Sequence, residues 1–319
     1  MNYTNEPMVF EPLPMERVWG GRRMESVLNK NLPHGSPIGE SWELVDREDA
    51  QSVVHEGGLR GITLHDLWLH HRKEVFGDSY VQHPAPRFPI LVKILDARDR
   101  LSVQVHPPAH LAAAMQGEPK TEMWYLLDTQ PAAAVFSGLK RGTTRELFEA
   151  ALVTGEVEQL LHRLPVSRGD SIFIPSGRVH AIAEGCLIVE VQQNSDTTYR
   201  VFDWNRTGLD GKPRALHIGE SMVSIDFDDF EPELNVTNGE AVSSCAYFDV
   251  ERWSIDSDRA ATEDGKFAFF SVTNGHVACG THVFARGEMF LVPAAFQNAM
   301  LRPSGGTAEV LRTTLPVPA

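Results

Sequence analysis

Cysteine is scarce in this 319-residue chain: Cys186, Cys245 and Cys279 are odd in number, and none belongs to a CxxC pair. That excludes a disulfide framework and a thiolate zinc site, and makes the reducing cytoplasm the expected compartment. Positive charge is short as well, with 29 Lys and Arg against 43 Asp and Glu and a formal net charge of −14. A mostly negative surface repels polyanions, so neither nucleic acid nor an anionic membrane is an expected partner. A small anion is still admissible wherever local cations gather. Long apolar runs are missing too: Phe88 to Leu95 falls far below the roughly 20 residues that cross a bilayer. Met1 to Glu16 mixes Asn, Glu and Pro and lacks the basic start and apolar core of an export signal.

What is present is a composition of 42% hydrophobic and 23% charged residues, enough to build a sizeable core in an ordinary globular protein. The length exceeds what one core usually serves, which suggests two domains. Short β-rich runs bounded by Gly, Pro, Asn and Asp recur, among them Ile90 to Leu95, Met123 to Leu127, Ser171 to Ile174 and Cys186 to Val191. This pattern predicts a mainly β fold of the barrel or sandwich kind. Helical interruptions are expected over Thr63 to Glu74 and from Thr143, where Thr-Thr-Arg-Glu offers a capping box between Thr143 and Glu146. Val157, Leu160, Leu161 and Leu164 extend a helical spacing up to Pro165.

An internal repeat bears on architecture. Arg168-Gly169-Asp170 followed by Ser171 to Pro175 recurs as Arg286-Gly287-Glu288 followed by Met289 to Pro293. Two similar β units follow, each with a glycine turn, a hydrophobic strand and a terminating proline. Aligned without gaps, Asn298 falls opposite His180, so chemistry is expected in the first unit alone. The acidic stretch Asp226 to Glu233, broken by Pro232, serves as the connection and puts the boundary near residue 235. Residues 1–235 are then the metal-binding catalytic domain and 236–319 a β domain without ligands.

In Leu101 to His106 the apolar positions 101, 103 and 105 alternate with Ser102, Gln104 and His106. Gln104 and His106 thus share one strand face, which is either a plain polar face or a pair of metal donors. Glu122 opens the next β run and is either a surface carboxylate or a third donor. Gly169, Pro175, Gly177 and His180 stand in a Gly-x5-Pro-x-Gly-x2-His spacing, which resembles the second signature of the cupin superfamily, whose hairpin presents a metal-binding His. Two neutral nitrogens and two oxygens suit zinc, and also manganese, iron or cobalt.

Several longer segments together resemble the type I phosphomannose isomerases, in their shorter bacterial branch. They are Trp19-Gly20-Gly21, Gly39 to Glu43, Ser102 to Pro107, Lys120 to Tyr125, Ile174 to Ile182 and Gln192 to Asp203. The resemblance covers roughly residues 8 to 220. It departs at Pro108-Ala109, where many members carry acidic residues, and at Pro119, where a Gly is common. It implies two cupin-type jelly-roll barrels with helical insertions in the first. It also implies one zinc ion per chain on Gln104, His106, Glu122 and His180, and a catalytic role for Arg200.

The implied reaction interconverts mannose 6-phosphate and fructose 6-phosphate by moving a proton between C1 and C2 through an enediol. The base is either Lys120, its pKa drawn down by a nearby divalent ion, or a metal-bound water or hydroxide. Lys120 can equally be an ammonium that binds phosphate or hydroxyl and never deprotonates. Arg200, Lys120 and Lys93 are the candidate cations for the substrate. For Lys93 the alternative is an outward-facing strand residue, and for Arg200 a salt bridge to Asp196 or Asp203. Trp19, Trp42 and Trp124 are core or sugar-stacking residues. His34, His55, His70, His71, His162, His217 and His276 fall in no ligand pattern and receive no chemistry. Competing readings are another sugar phosphate on the same scaffold, or a sugar-binding module without turnover. Nothing in the sequence specifies an oligomeric state.

Overall fold

The computed structural model describes residues 6–317, so the first five residues of the stretch read for an export signal lie outside the described residues. The fold is mainly β. Ile90–Ala97 is buried along its whole length because both faces are covered, which is why its sequence is a nearly continuous apolar run. It sits inside a six-stranded antiparallel sheet with spatial order Leu13–Gly21, Ile38–Leu44, Ile90–Ala97, Cys186–Gln193, Glu122–Thr129, Ser171–Ile174. A five-stranded sheet, Tyr199–Phe202, Val103–Val105, His180–Ile182, Ala134–Leu139, Leu161–Pro165, faces it. Trp19, Leu95 and Ile188 from the first sheet meet Val135 and Ile182 from the second between them.

The C-terminal part repeats this plan. One sheet of five strands, Ala241–Ser244, Asp249–Ile255, Ala308–Thr314, Ala268–Asn274, Met289–Val292, faces one of four, Arg259–Ala260, Met300–Pro303, His276–Cys279, His282–Ala285. The large sheets of the two halves pack back to back, since Ile90, Val92, Tyr125 and Val189 share one core with Val250, Phe269, Leu291 and Leu311. The strands form paired sheets and do not close into a barrel among the described residues.

The repeat is visible as backbone geometry. Gly169 and Gly287 both adopt φ +91°, a left-handed value that favours glycine. Gly169 N–H donates to Leu126 O and Leu126 N–H to Asp170 O; Gly287 N–H donates to Val272 O and Val272 N–H to Glu288 O. The copies then diverge. An extra turn containing Asn298 at φ +53° delays the next strand to Met300, whereas His180 itself opens its strand. The gap-free pairing of Asn298 with His180 therefore slips, and Met300 holds the equivalent place. Either residue leaves the second copy without an imidazole there. The acidic connection is tied to the first unit through Arg178 to Asp229 at 2.7 Å and Asn235 N–H to Ser171 O at 2.8 Å. On this basis we propose 1–235 and 236–319 as the two units.

Three local expectations need correction. The helix expected from Thr63 is two short ones, Leu64–His70 and Arg72–Phe76, interrupted at His71 and ended by Gly77 at φ +100°. Thr63 does cap the first, accepting from Asp66 N–H. The cap of Arg145–Thr154 is Thr144, which accepts from Leu147 N–H, while the Thr143 hydroxyl turns to Leu160 O and its N–H donates to Lys140 O. Leu161–Pro165 is a strand after a single 3-10 turn at Val157–Leu160, since pairing with Ala134–Leu139 overrides helical spacing.

The first two strands cross in direct contact. A Cβ on Gly20 would lie 2.4 Å from Gly39 N, and one on Gly39 2.5 Å from Arg17 Cβ. That closeness brings Arg17 to 2.9 Å from Glu40. Gly20→Ala is expected to destabilise the protein by about 1–3 kcal/mol, the usual cost of overpacking. Urea denaturation reads this directly, and an unchanged midpoint would refute the close-crossing argument.

Candidate active site

Strand alternation puts Gln104 and His106 on one side of the segment, and the sheet register sets Gln104 opposite both His180 and Arg200. Glu122 begins the neighbouring strand of the facing sheet. His106, Glu122 and His180 are fully buried, and one ligand atom from each lies within 4.8 Å of the others. The imidazoles are oriented from behind: His106 Nδ1–H donates to Thr197 O at 2.8 Å and His180 Nδ1–H to Arg178 O at 2.9 Å. Both Nε2 lone pairs therefore face Glu122, at 3.5 Å from Oε2 and 3.4 Å from Oε1. Such carbonyl partners fix the tautomer that a metal needs.

Burial holds His180 down to about 3, and burial followed by the Lys120 charge lowers His106, so both rings are neutral and ready to ligate. Burial opposes ionisation of Glu122, but the Lys120 ammonium prevails and holds its carboxyl well below the usual range. His106 Nε2 and Glu122 Oε1 have no hydrogen-bond partner. Buried polar atoms left so are costly, and a divalent cation satisfies them together. Gln104 Nε2 lies 3.2 Å from His180 Nε2, and a half-turn of its carboxamide presents Oε1 to the same point. The four residues named from sequence fit a metal.

Beside them opens a cavity of about 390 Å³ that Gln104, Lys93, Lys120 and Arg200 all line. Lys93 does not face outward. It is buried 3.6 Å from Glu190 and 3.9 Å from Glu40, with its ammonium 4.8 Å from the Trp42 ring centroid. Lys120 Nζ sits 2.8 Å from Glu122 Oε2 and 3.5 Å from Glu190 Oε1. Burial alone would lower its pKa, but Glu122 and Glu190 outweigh burial and raise it, so Lys120 is an ammonium in this arrangement. Arg200 has no carboxylate within 4.0 Å among the described residues, because Arg206 and Arg214 occupy Asp203 at 2.9 and 2.5 Å. Its Nη1 donates to Ala215 O, and burial, then the charge of Arg214, disfavours its cation.

Sequence reasoning missed Arg17, Glu40, Glu190, Arg214 and His217, all of which line this cavity. Burial raises the Glu190 carboxyl against the pull of Lys120, and Trp124 Nε1–H donates to it at 3.0 Å. Glu190 carried a legible signal: it is the one charge in its strand, as Lys93 is in the apolar run Ile90 to Leu95, and the two pair directly across the sheet. Trp19 and Trp124 line the cavity and Trp42 lies beneath Lys93. His217 Nδ1 accepts the Arg200 N–H at 3.2 Å.

Comparison with known proteins agrees with this geometry. Residues 10–134 match the family described as phosphomannose isomerase type I, catalytic domain. A mannose-6-phosphate isomerase of Bacillus subtilis (strain 168) is 38% identical over 304 residues, 91% of this chain and 94% of that protein. The solved structure of mannose 6-phosphate isomerase from Bacillus subtilis superposes with a TM-score of 0.85 at 27% identity, covering 97% of this chain and 100% of that one. A solved mannose 6-phosphate isomerase bound with zinc and yttrium shares the fold, with a TM-score of 0.73 at 16% identity over 97% of this chain and 99% of that one. With such identity sustained along nearly its whole length, this chain belongs to the type I phosphomannose isomerase family.

Proposed function

We propose that the protein interconverts D-mannose 6-phosphate and D-fructose 6-phosphate through an enediol, with one zinc ion per chain held by Gln104, His106, Glu122 and His180. The observation that carries this reading is the buried His–Glu–His group with orphaned ligand atoms, opening onto a cavity rich in cations. A bound divalent ion supplies Lewis-acid stabilisation of the negative charge that grows on oxygen when a proton leaves the neighbouring carbon. Arg200 supplies a fixed cation for the same charge, stronger in the transition state than in the ground state. Lys120, as the ammonium seen here, donates to a sugar oxygen beside the reacting carbons and can return a proton to it. To serve as base it must first lose its own proton, against Glu122 and Glu190. Lys93 stands in reach of substrate hydroxyls at the same end.

The cytoplasm is the proposed compartment, in keeping with three free cysteines, and no helix among the described residues is long and apolar enough to cross a membrane. The test is a coupled assay with mannose 6-phosphate, glucose 6-phosphate and mannose. Turnover of the first alone is expected. Preference for glucose 6-phosphate would move the reading to another sugar phosphate, and binding without turnover would reduce it to a sugar-binding module.

A further inference from the structure

We infer, on the reading that His106 is a metal ligand, that Arg47, Arg87 and Glu118 form a bracket outside the cavity that positions its ring, by fixing the turn whose Thr197 O accepts the Nδ1–H. The turn, residues 194–198, joins the strands Cys186–Gln193 and Tyr199–Phe202 and belongs to neither, so no sheet ladder holds it. Its one carbonyl contact with the site matters, because a partner on Nδ1 leaves the Nε2 lone pair free for a cation and sets the direction in which it points. Something other than the sheet must therefore hold Thr197 O in place.

Two arginines far apart in sequence close on this turn. Arg47 Nη1 donates to Glu118 Oε2 at 2.9 Å and to Asn194 O at 3.2 Å. Arg87 Nη2 donates to Glu118 Oε1 and, at 2.9 Å, to the same Asn194 O. A single nitrogen of each thus ties the Glu118 loop to the start of the turn, with the strength of charge-assisted bonds. Glu118 completes the tie along its backbone: its N–H donates to Thr197 Oγ1 at 3.0 Å, and its O accepts from Ser195 Oγ at 3.2 Å. Ser195 Oγ in turn accepts the Thr197 N–H at 3.2 Å. Asn194 Nδ2 is anchored on Asp46 O and Phe88 O at 2.6 and 2.8 Å, and each of those residues is a chain neighbour of one of the arginines. The contacts then end on His106 through Thr197 O at 2.8 Å. Arg47, Arg87 and Glu118 are not among the residues lining the cavity, so their route to the reaction is the ring and not the substrate. His180 leans on a different carbonyl, Arg178 O, which makes the bracket specific to His106.

Positioning and bare charge give opposite signs. Removing an arginine near a divalent cation tightens its binding if only Coulomb repulsion is at work, whereas a loosened turn weakens it. Zinc is titrated into metal-stripped protein against a chromogenic chelator, and the histidine ring N–H resonances of the metal-free protein are followed by NMR, for wild type, Arg47→Ala, Arg87→Ala and Arg87→Lys. Both alanine variants are expected to bind zinc about ten- to a hundred-fold more weakly, the usual loss when the outer partner of a ligating His is disturbed. The His106 Nδ1–H signal should be lost to solvent exchange in them, while the His180 signal persists and attests to the fold. Arg87→Lys, whose ammonium can span the same two acceptors, should recover both zinc affinity and signal. Unchanged or tighter zinc binding in both alanine variants overturns the bracket, and so does weaker binding with an unaltered His106 signal or with both ring signals gone. If wild type binds no zinc, the metal reading ends and the His106 signal alone decides: its selective loss in the alanine variants upholds the positioning role, and its persistence refutes it.

Discussion

Chelation of the purified protein is expected to abolish turnover, and one equivalent of divalent metal per chain to restore it in wild type but not in His180→Ala. The expectation follows from the geometry of the buried group. His106, Glu122 and His180 converge with no hydrogen-bond partner for His106 Nε2 or Glu122 Oε1, so the fold has already met the desolvation cost of a site without a proton to fill it. Removing the His180 ring leaves Gln104, His106 and Glu122, with a single imidazole and with Glu122 still engaged by Lys120, a set that should hold the ion far more weakly. Metal content by elemental analysis should fall strongly in His180→Ala. Asn298→Gly, which keeps the left-handed turn of the second unit, should retain wild-type content. Full turnover in metal-free protein would remove the metal from the mechanism.

The proposed ligand set came from the sequence because donors to one ion must satisfy two local patterns at once. Gln104 and His106 lie two residues apart on a strand, and His180 follows a glycine turn and a proline at fixed spacing, so sequence distance maps onto spatial distance. The mainly β architecture was legible for the same reason, from short alternating runs between turn residues. That Arg17 and Arg214 would join Arg200 was not. Arg17, Arg200 and Arg214 come from a bulged first strand, a short strand and an irregular loop, and only tertiary folding brings them to one cavity. Thr144 displacing Thr143 as cap, and the strand at Leu161–Pro165, were decided by competing backbone partners that no local pattern reveals. The slip at Asn298 came from a turn inserted after an otherwise faithful repeat.

Arg200→Ala is expected to keep its metal and lose about 10²- to 10³-fold in kcat, the usual cost of removing one preorganised donor aimed at developing charge. Three features distinguish it from a mere anchor. It pairs across the strand with Gln104, which fixes its backbone beside the proposed ligands. Its backbone N–H is held by His217 and its Nη1 by Ala215 O, so the guanidinium is positioned before substrate arrives. It also lacks a carboxylate partner among the described residues, so its charge is not already neutralised. A residue that only gripped phosphate would raise KM and spare kcat. Steady-state kinetics on protein of verified metal content separate the two. If Arg200→Ala changed KM alone, Arg200 would be a substrate anchor, and stabilisation of the enediol charge would fall to the metal and Lys120.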